Sequence, residues 1–389
     1  VTVEEILREL VAIASPSAIS NLPLLKWVIG LLERSGWRVE LLPYEDDNGV
    51  AKANLVAQPA AAGENEAIGL AFVCHTDTVP FSSAWNGALE LKESADGAAL
   101  HGCGACDVKG ALACFLAAVE DTEAAQLRPD VALILTADEE IGCKGMERLL
   151  AARALRIGSA LVSEPTLLRP GVAGKGYGLA RVTVHGREAH SAFPSEGVSA
   201  IALAARMIGR VYEIGACAVG GDSSADALFE VPRTTVNVGV IEGGTAKNIV
   251  AGRCSFLVEW RPVPGEAPRA VFERLEWLAG ELQGPDSQDR DARARIEVEL
   301  MRAEAGFGAA SAGPLQRRLA EIFAKEGQTD RAPVGIGFGS EASRLARVAD
   351  EVIVMGPGDM HTAHSERENV PKAELREWVE VLRGLLGKV

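Results

Sequence analysis

At 389 residues, with 48% apolar and 24% charged side chains, the chain has the profile of a globular protein of two or three domains, neither disordered, fibrous nor membranous. A net charge of −15 argues against nucleic acid and anionic membrane surfaces as partners, since both are bound through basic patches that displace counterions, and it suits cation capture.

The N-terminal VTVEEILRELVAI reads as an acidic amphipathic helix with Thr2 and Glu5 at capping-box spacing, not as a secretory leader. A second helix, LPLLKWVIGLLERSG, carries Pro23 in its first turn and Gly36 at its end. Strand patterns follow at WRVELL, ANLVAQ, IGLAFVCH, VALILTAD and SALVSEP, with a helix at VKGALACFLAAVE between the third and fourth. This alternation predicts an α/β fold whose mixed, mostly parallel sheet is covered by helices on both faces. After residue 177 the period changes to two in LARVTVHG and TTVNVGVIEG, followed by RCSFLVEWRP and ARIEVELMRA, with helices at VSAIALAARMIGRVYE and RAVFERLEWLAGEL. That order predicts an inserted ferredoxin-like βαββαβ layer over 178–303, inside a larger domain of 1–177 plus 304–389. The larger domain resumes with a helix at GPLQRRLAEIFAKEG, strands at APVGIGFG and EVIVMGPG, and a last helix at KAELREWVEVLRGLLG. QPAAAGENEA, GGDSSADALFE and GPDSQDRDARAR are expected as surface loops.

No run approaches 18 apolar residues. The seven cysteines (74, 103, 106, 114, 143, 217 and 254) are scattered, often within apolar runs, and read as reduced, buried thiols. Cys103 and Cys106 form a C-x-x-C near His101, but no second pair follows at zinc-ribbon spacing, which argues against a structural zinc there. A cytoplasmic protein is expected.

Ligands of open α/β sheets gather outside the carboxyl ends of the strands, and the acids and histidines of this chain fall there. IGLAFVC runs into His75 and Asp77, VALILTAD into Glu139 and Glu140, SALVS into Glu164, and VIVMGPG into a loop holding His364; Asp107 stands in GCGACDVKG just before a helix. Crowding Asp107, Glu140 and Glu164 together without a cation would force some of them to protonate, and a bound metal removes the conflict. Two imidazoles and three carboxylates, with no thiolate, suit zinc or another first-row divalent ion. Five donors fill one crowded site, or two sites of three ligands if one carboxylate bridges; spacing admits both. Asp77, two residues from His75, is expected to accept the imidazole's second N–H. Glu139 is expected to take the proton of an attacking water and hand it to the leaving nitrogen.

CHTDTVPF, GCGACDVKG, TADEEIG, SEPT, HGREAHSAFPSEGVSA, GGTAKNIV and GPGDMHTAH, in this order, resemble the dinuclear-zinc amidohydrolase and peptidase family that includes acetylornithine deacetylase, succinyl-diaminopimelate desuccinylase, aminoacylases and exopeptidases. HTDTVPF, TADEE and EPTLLRP are most like the deacetylases. The resemblance implies two Zn2+, with Co2+ as the alternative: Asp107 bridging, His75 and Glu164 on one ion, Glu140 and His364 on the other. It implies Glu139 as general acid/base, Asp77 as orienting acid, and the inserted layer as a lid that also forms a homodimer. His190 would then reach the partner's site and hold the oxyanion, while Asn248 and Arg261 bind the substrate carboxylate. Three positions bear on the substrate rather than the metal: AHSEREN around His364 lacks the usual proline and acid-aromatic pair, Ser340 replaces the usual threonine, and Lys175 in AGKGYG supplies a basic substrate-side group.

The implied activity is hydrolytic removal of an Nα-acyl group from a small amino acid, acetylornithine in arginine biosynthesis being the first expectation. Desuccinylase, aminoacylase or dipeptidase activity is the alternative. A dinucleotide-binding oxidoreductase, suggested by GCGACD before a helix, fares poorly because Asp107 stands where the third glycine belongs and would repel pyrophosphate. A ligand-binding relative without catalysis is disfavoured because every metal position is filled.

Overall fold

The strand and helix patterns assemble into two units in the computed structural model, which describes residues 1–63, 67–123, 125–217, 226–283, 294–308, 311–325 and 331–388. One unit comprises Val1–Val172, Ser311–Val334 and Ser340–Val389, the other Ala173–Ala310 and Gly335–Gly339. The division falls at 172/173 and 310/311 rather than at 177/178 and 303/304. Phe307 and Gly308 form an antiparallel ladder with Gly174 and Ala173, so both flanking segments go with the inserted unit. Most of the expected loop GPDSQDRDARAR, and parts of QPAAAGENEA and GGDSSADALFE, lie outside the described residues.

In the first unit the strands run across the sheet in the order Trp37–Glu45, Ala51–Pro59, Val131–Thr136, Ile68–His75, Ile157–Val162 and Ala349–Val354. The first two joins are antiparallel and the next three parallel. Val131–Thr136 is buried at every position, as a strand covered on both faces must be. The helix Lys109–Asp121 is buried from Lys109 through Val119, so it runs through the interior, against Lys372–Leu386 and Val3–Ala12. Phe72 stacks on Phe115 at 4.6 Å between ring centroids, and Trp37 meets the same ring edge-on at 5.8 Å. Full burial of a ring such as Phe115 stabilises by roughly 1.5–3 kcal/mol. The Thr2–Glu5 capping box forms, with each side chain accepting the other's backbone N–H. The expected strand at APVGIGFG shortens to Val334–Ile336, since its glycines offer no side chains to pack a longer ladder.

The second unit holds four antiparallel strands in the order Thr235–Gly243, Arg253–Arg261, Tyr177–His185 and Arg295–Glu304, with helices Ala200–Cys217 and Ala270–Gln283. This is the strand order of a ferredoxin-like βαββαβ layer. Period-two burial along Arg253–Arg261 turns Phe256, Val258 and Trp260 into the core. Trp260 also requires Gly178 opposite it, because a Cβ there would lie 1.8 Å from the indole. Thr235–Gly243 is an edge strand that leaves Val240 and Ile241 exposed, as are Ile201 and Tyr212 of the helix packed beside it.

No helix among the described residues is long and apolar enough to cross a membrane. Cys74, Cys103, Cys106, Cys114, Cys143 and Cys254 are free and buried.

Candidate metal centre

Four parallel strands end side by side in the first unit: His75 pairs with Thr136, and Val162 pairs with both Val73 and Val354. The chain leaving each strand is thereby delivered to one edge of the sheet. His75 is the last residue of its strand, Glu139 and Glu140 follow Thr136, and Glu164 follows Val162. His364 follows Val354 beyond the short turn Met360–Thr362, and Asp107 precedes the buried helix.

The five donors form two overlapping sets, His75–Asp107–Glu164 and Asp107–Glu140–His364, each with ligand atoms within 4.8 Å of one another. Asp107 belongs to both. Its Oδ1 lies 3.2 Å from His75 Nε2 and its Oδ2 2.9 Å from His364 Nε2, which is also 3.2 Å from Glu140 Oε2.

The electrostatics match an anionic cluster that needs a cation. Burial, together with the neighbouring Asp107 charge, pushes the Glu164 carboxyl well above the usual range. Burial would raise Asp107 too, but hydrogen bonds from His364 and His75 hold it well below. Hydrogen bonds to Asp107 and Glu140 push His364 up to about 10. Burial opposes protonation of His75, yet the bond to Asp107 outweighs it and its pKa rises well above the ordinary value. The imidazoles thus hold protons where a divalent ion would neutralise the acids instead. Glu140 Oε1 is buried without a hydrogen-bond partner among the described residues, the position of an oxygen that lacks its electrophile. These donors fit zinc or another first-row divalent ion.

The part assigned to Asp77 changes. His75 Nδ1 faces the backbone oxygen of Asp77 at 2.9 Å, while the Asp77 carboxylate is 3.8 Å away. The close turn brings the carbonyl to the ring first. That frees the carboxylate, which accepts the backbone N–H groups of Glu139 and Glu140 at 3.1 and 3.2 Å and the Ser17 hydroxyl at 2.7 Å. Asp77 thus meets the imidazole with its carbonyl and the backbone of the two glutamates with its carboxylate. Burial, aided by the charges of Glu341 and Glu140, pushes Glu139 up to about 8, and the Cys143 thiol donates to its Oε1 at 3.2 Å. A carboxyl group of that pKa can both take and give a proton near neutrality.

Ser340 is buried, its hydroxyl accepting the Ala342 N–H at 3.3 Å. Its neighbour Glu341, passed over in the sequence, is the more telling group: 1% exposed, accepting the Thr136 hydroxyl at 2.6 Å, and pushed up to about 7 by burial. Also missed were Glu368, whose carboxylate accepts the N–H groups of Gly104, Cys106 and Asp107, and Asp138, buried with Lys52. The available signal was an acid immediately beside a proposed site residue in GSEAS and DEE.

The remaining predicted residues belong to the inserted unit. His190 and Asn248 are exposed on adjoining segments, where Ser191 N–H donates to the Asn248 carbonyl at 3.0 Å and Ala192 N–H to His190 Nδ1 at 3.1 Å. Arg261 donates to Glu259 at 2.8 Å and lies over the Tyr177 ring at 4.7 Å. Lys175 is buried, donating to the Arg233 carbonyl at 2.7 Å with Phe229 beneath its ammonium.

Comparison with known proteins places these features in context. The family model of Peptidase family M20/M25/M40 matches residues 71–388. An acetylornithine deacetylase of Myxococcus xanthus is 41% identical over 95% of this chain and 92% of its own length. Among solved structures, an M20 family metallo-carboxypeptidase of Sulfolobus solfataricus superposes with a TM-score of 0.75 at 19% identity, covering 98% of this chain and 97% of the other. The YXEP protein of Bacillus subtilis, a dinuclear metal binding peptidase, gives 0.70 at 15% identity, with coverages of 99% and 96%. At these identities the two structures speak for the fold alone.

Proposed function

The chain belongs to peptidase family M20/M25/M40, and on that premise we propose that it is a two-metal hydrolase removing the Nα-acyl group from an amino acid, first of all acetylornithine in arginine biosynthesis. The observation that carries this reading is the sharing of Asp107 by two ligand sets, with the half-buried Glu139, pushed up to about 8, on the turn that carries one of the ligands. The likeness to the Myxococcus xanthus deacetylase supports the acetyl group and ornithine. Desuccinylase, aminoacylase and dipeptidase activities are the alternatives within the same chemistry.

Asp107 would bridge two zinc ions, with cobalt as a substitute; His75 and Glu164 would complete one site, Glu140 and His364 the other. When bound, the ions polarise the acyl carbonyl and lower the pKa of water. Glu139 accepts the proton of the attacking water and returns it to the departing amine nitrogen, so its two protonation states alternate within one turnover. Asp77 holds the backbone that presents Glu139 and Glu140. Asn248 and Arg261 are assigned to the substrate carboxylate, Lys175 and Ser340 to the substrate side, and His190 to the oxyanion in the site of a second copy.

The inserted unit is assigned the roles of lid and of dimerisation. The edge of Thr235–Gly243, which no strand pairs among the described residues, with Val240, Ile241, Ile201 and Tyr212 exposed around it, supports pairing with a second copy of this chain. Six free, buried thiols suit a reducing compartment such as the cytoplasm.

Assay of the metal-loaded protein on Nα-acetylornithine, succinyl-diaminopimelate, other N-acyl amino acids and simple dipeptides tests the reading, with Glu139→Gln as control. Acetylornithine should be hydrolysed with the highest kcat/KM, and Glu139→Gln should lower kcat by about 10²–10⁴ with metal content unchanged. An inactive wild type, or a fully active Glu139→Gln, rejects it.

A further inference from the structure

Of the three consecutive acids Asp138, Glu139 and Glu140, two have parts in the proposed reaction and the first has none. Asp138 is fully buried and sits at φ 59°, a left-handed conformation that a non-glycine residue keeps only where its surroundings over-determine it. Those surroundings are specific. Lys52, 1% exposed, donates its ammonium to Asp138 Oδ1 and to the Ser17 carbonyl, with Asp46 3.6 Å away. Tyr44 donates its hydroxyl to the other oxygen, Asp138 Oδ2, at 2.9 Å.

These contacts close on themselves. From Lys52 one bond reaches Asp138, the residue before Glu139. A second reaches the Ser17 carbonyl; Ser17 in turn donates its hydroxyl to Asp77, and Asp77 accepts the N–H groups of Glu139 and Glu140. The turn carrying Glu139 is therefore gripped from both ends by one buried cation. We propose that Lys52 is a positioning residue, whose ammonium locks the 138–140 turn so that Glu139 is aimed at the reacting atoms. Lys52 sits on the strand Ala51–Pro59, apart from the ligands. Its effect therefore passes through backbone geometry and not through contact with metal or substrate. A buried ion pair is weak ground for assigning stability, but fixing one arrangement of a loop is a use such pairs serve.

The inference rests on the reading of Glu139 as proton carrier, and its test separates the two. In the metal-loaded full-length protein, Lys52→Met is expected to lower kcat roughly a hundredfold, as misplacement of a catalytic group does. KM should move by less than about twofold, because substrate binding is untouched. Both rates are read at saturating zinc, because the same turn carries Glu140 of the second ligand set. Amide hydrogen exchange in the 137–143 segment should accelerate by about tenfold or more while Ile68–His75 stays protected, the signature of local and not global loosening. A folded Lys52→Met with wild-type kcat, or with unchanged exchange in that segment, overturns the proposal. Should Lys52→Met fail to fold, Asp138→Asn, which keeps the shape and removes the charge, decides by the same two readouts. If the wild type hydrolyses none of the amides, the proposed function fails while the exchange measurement still judges the positioning role.

Discussion

Glu368 Oε1 accepts the backbone N–H of Asp107 at 3.1 Å, joining residues 261 positions apart in the chain. The same carboxylate accepts the N–H groups of Cys106 at 3.0 Å and Gly104 at 3.1 Å. The loop that presents the shared ligand is thus wrapped around a buried acid. Burial pushes that acid up to about 7, so a rise in pH above neutrality strengthens its hold as an acceptor. The conformation of the Asp107 loop depends on a side chain outside the two donor sets.

Replacing Glu368 by leucine would leave three N–H groups without their acceptor, each costing roughly 1–3 kcal/mol if it stays dry. Zinc titration of Glu368→Leu should show affinity weakened by about 10–100-fold, the usual penalty for losing a group that orients a ligand, together with a lower Tm. Glu368→Gln keeps one acceptor oxygen and should fall between the two. Undiminished affinity in the leucine variant would show that the loop holds its shape unaided.

The metal-free protein should lose stability as pH rises. His364 has a folded pKa of about 10 against 6.5 when free, so between those values the folded chain binds more protons than the unfolded one. Its contribution is whole below 6.5 and is lost on passing through about 10. Glu139, at about 8 against 4.5, gives the same sign between 4.5 and 8, because burial disfavours its anion. Melting curves of the chelated protein should therefore show Tm falling from about pH 5 to about pH 10. Added zinc should flatten the slope by displacing the imidazole proton. A metal-free Tm that rises over this range contradicts the assignment of these protons.

The exposed edge of the inserted unit offers a test of assembly. Placing a charge there, as in Ile241→Lys, deters strand pairing in the way natural edge strands do. Sedimentation at micromolar concentration should find a dimer for the wild type and a monomer for the variant. A wild type that sediments as a monomer would remove the edge strand from the account of assembly.

The sequence revealed most where the physics is local or repetitive. Ile68–His75 was read residue for residue because a strand covered on both faces must be apolar throughout, and its terminal histidine then stands out. The βαββαβ layer was legible from the change of period alone. Asp77 was misread because, two residues from His75, it can reach the ring with either its carboxylate or its carbonyl, and a one-letter code does not distinguish the two oxygens. Lys52 drew no notice in the sequence, since its partner Asp138 is 86 positions away and no local pattern reports such pairing. Glu368 was hidden in HSEREN, a stretch with the polarity of an ordinary surface loop.

The two ligand sets differ in their access to water: the His75 side chain is 2% exposed, that of His364 49%. An ion held by His75 would be sealed early and surrendered reluctantly. One held by His364, at the rim, would trade with the surrounding medium. Scarcity of the element would then empty the rim position first, leaving an intact molecule that refills when supply returns.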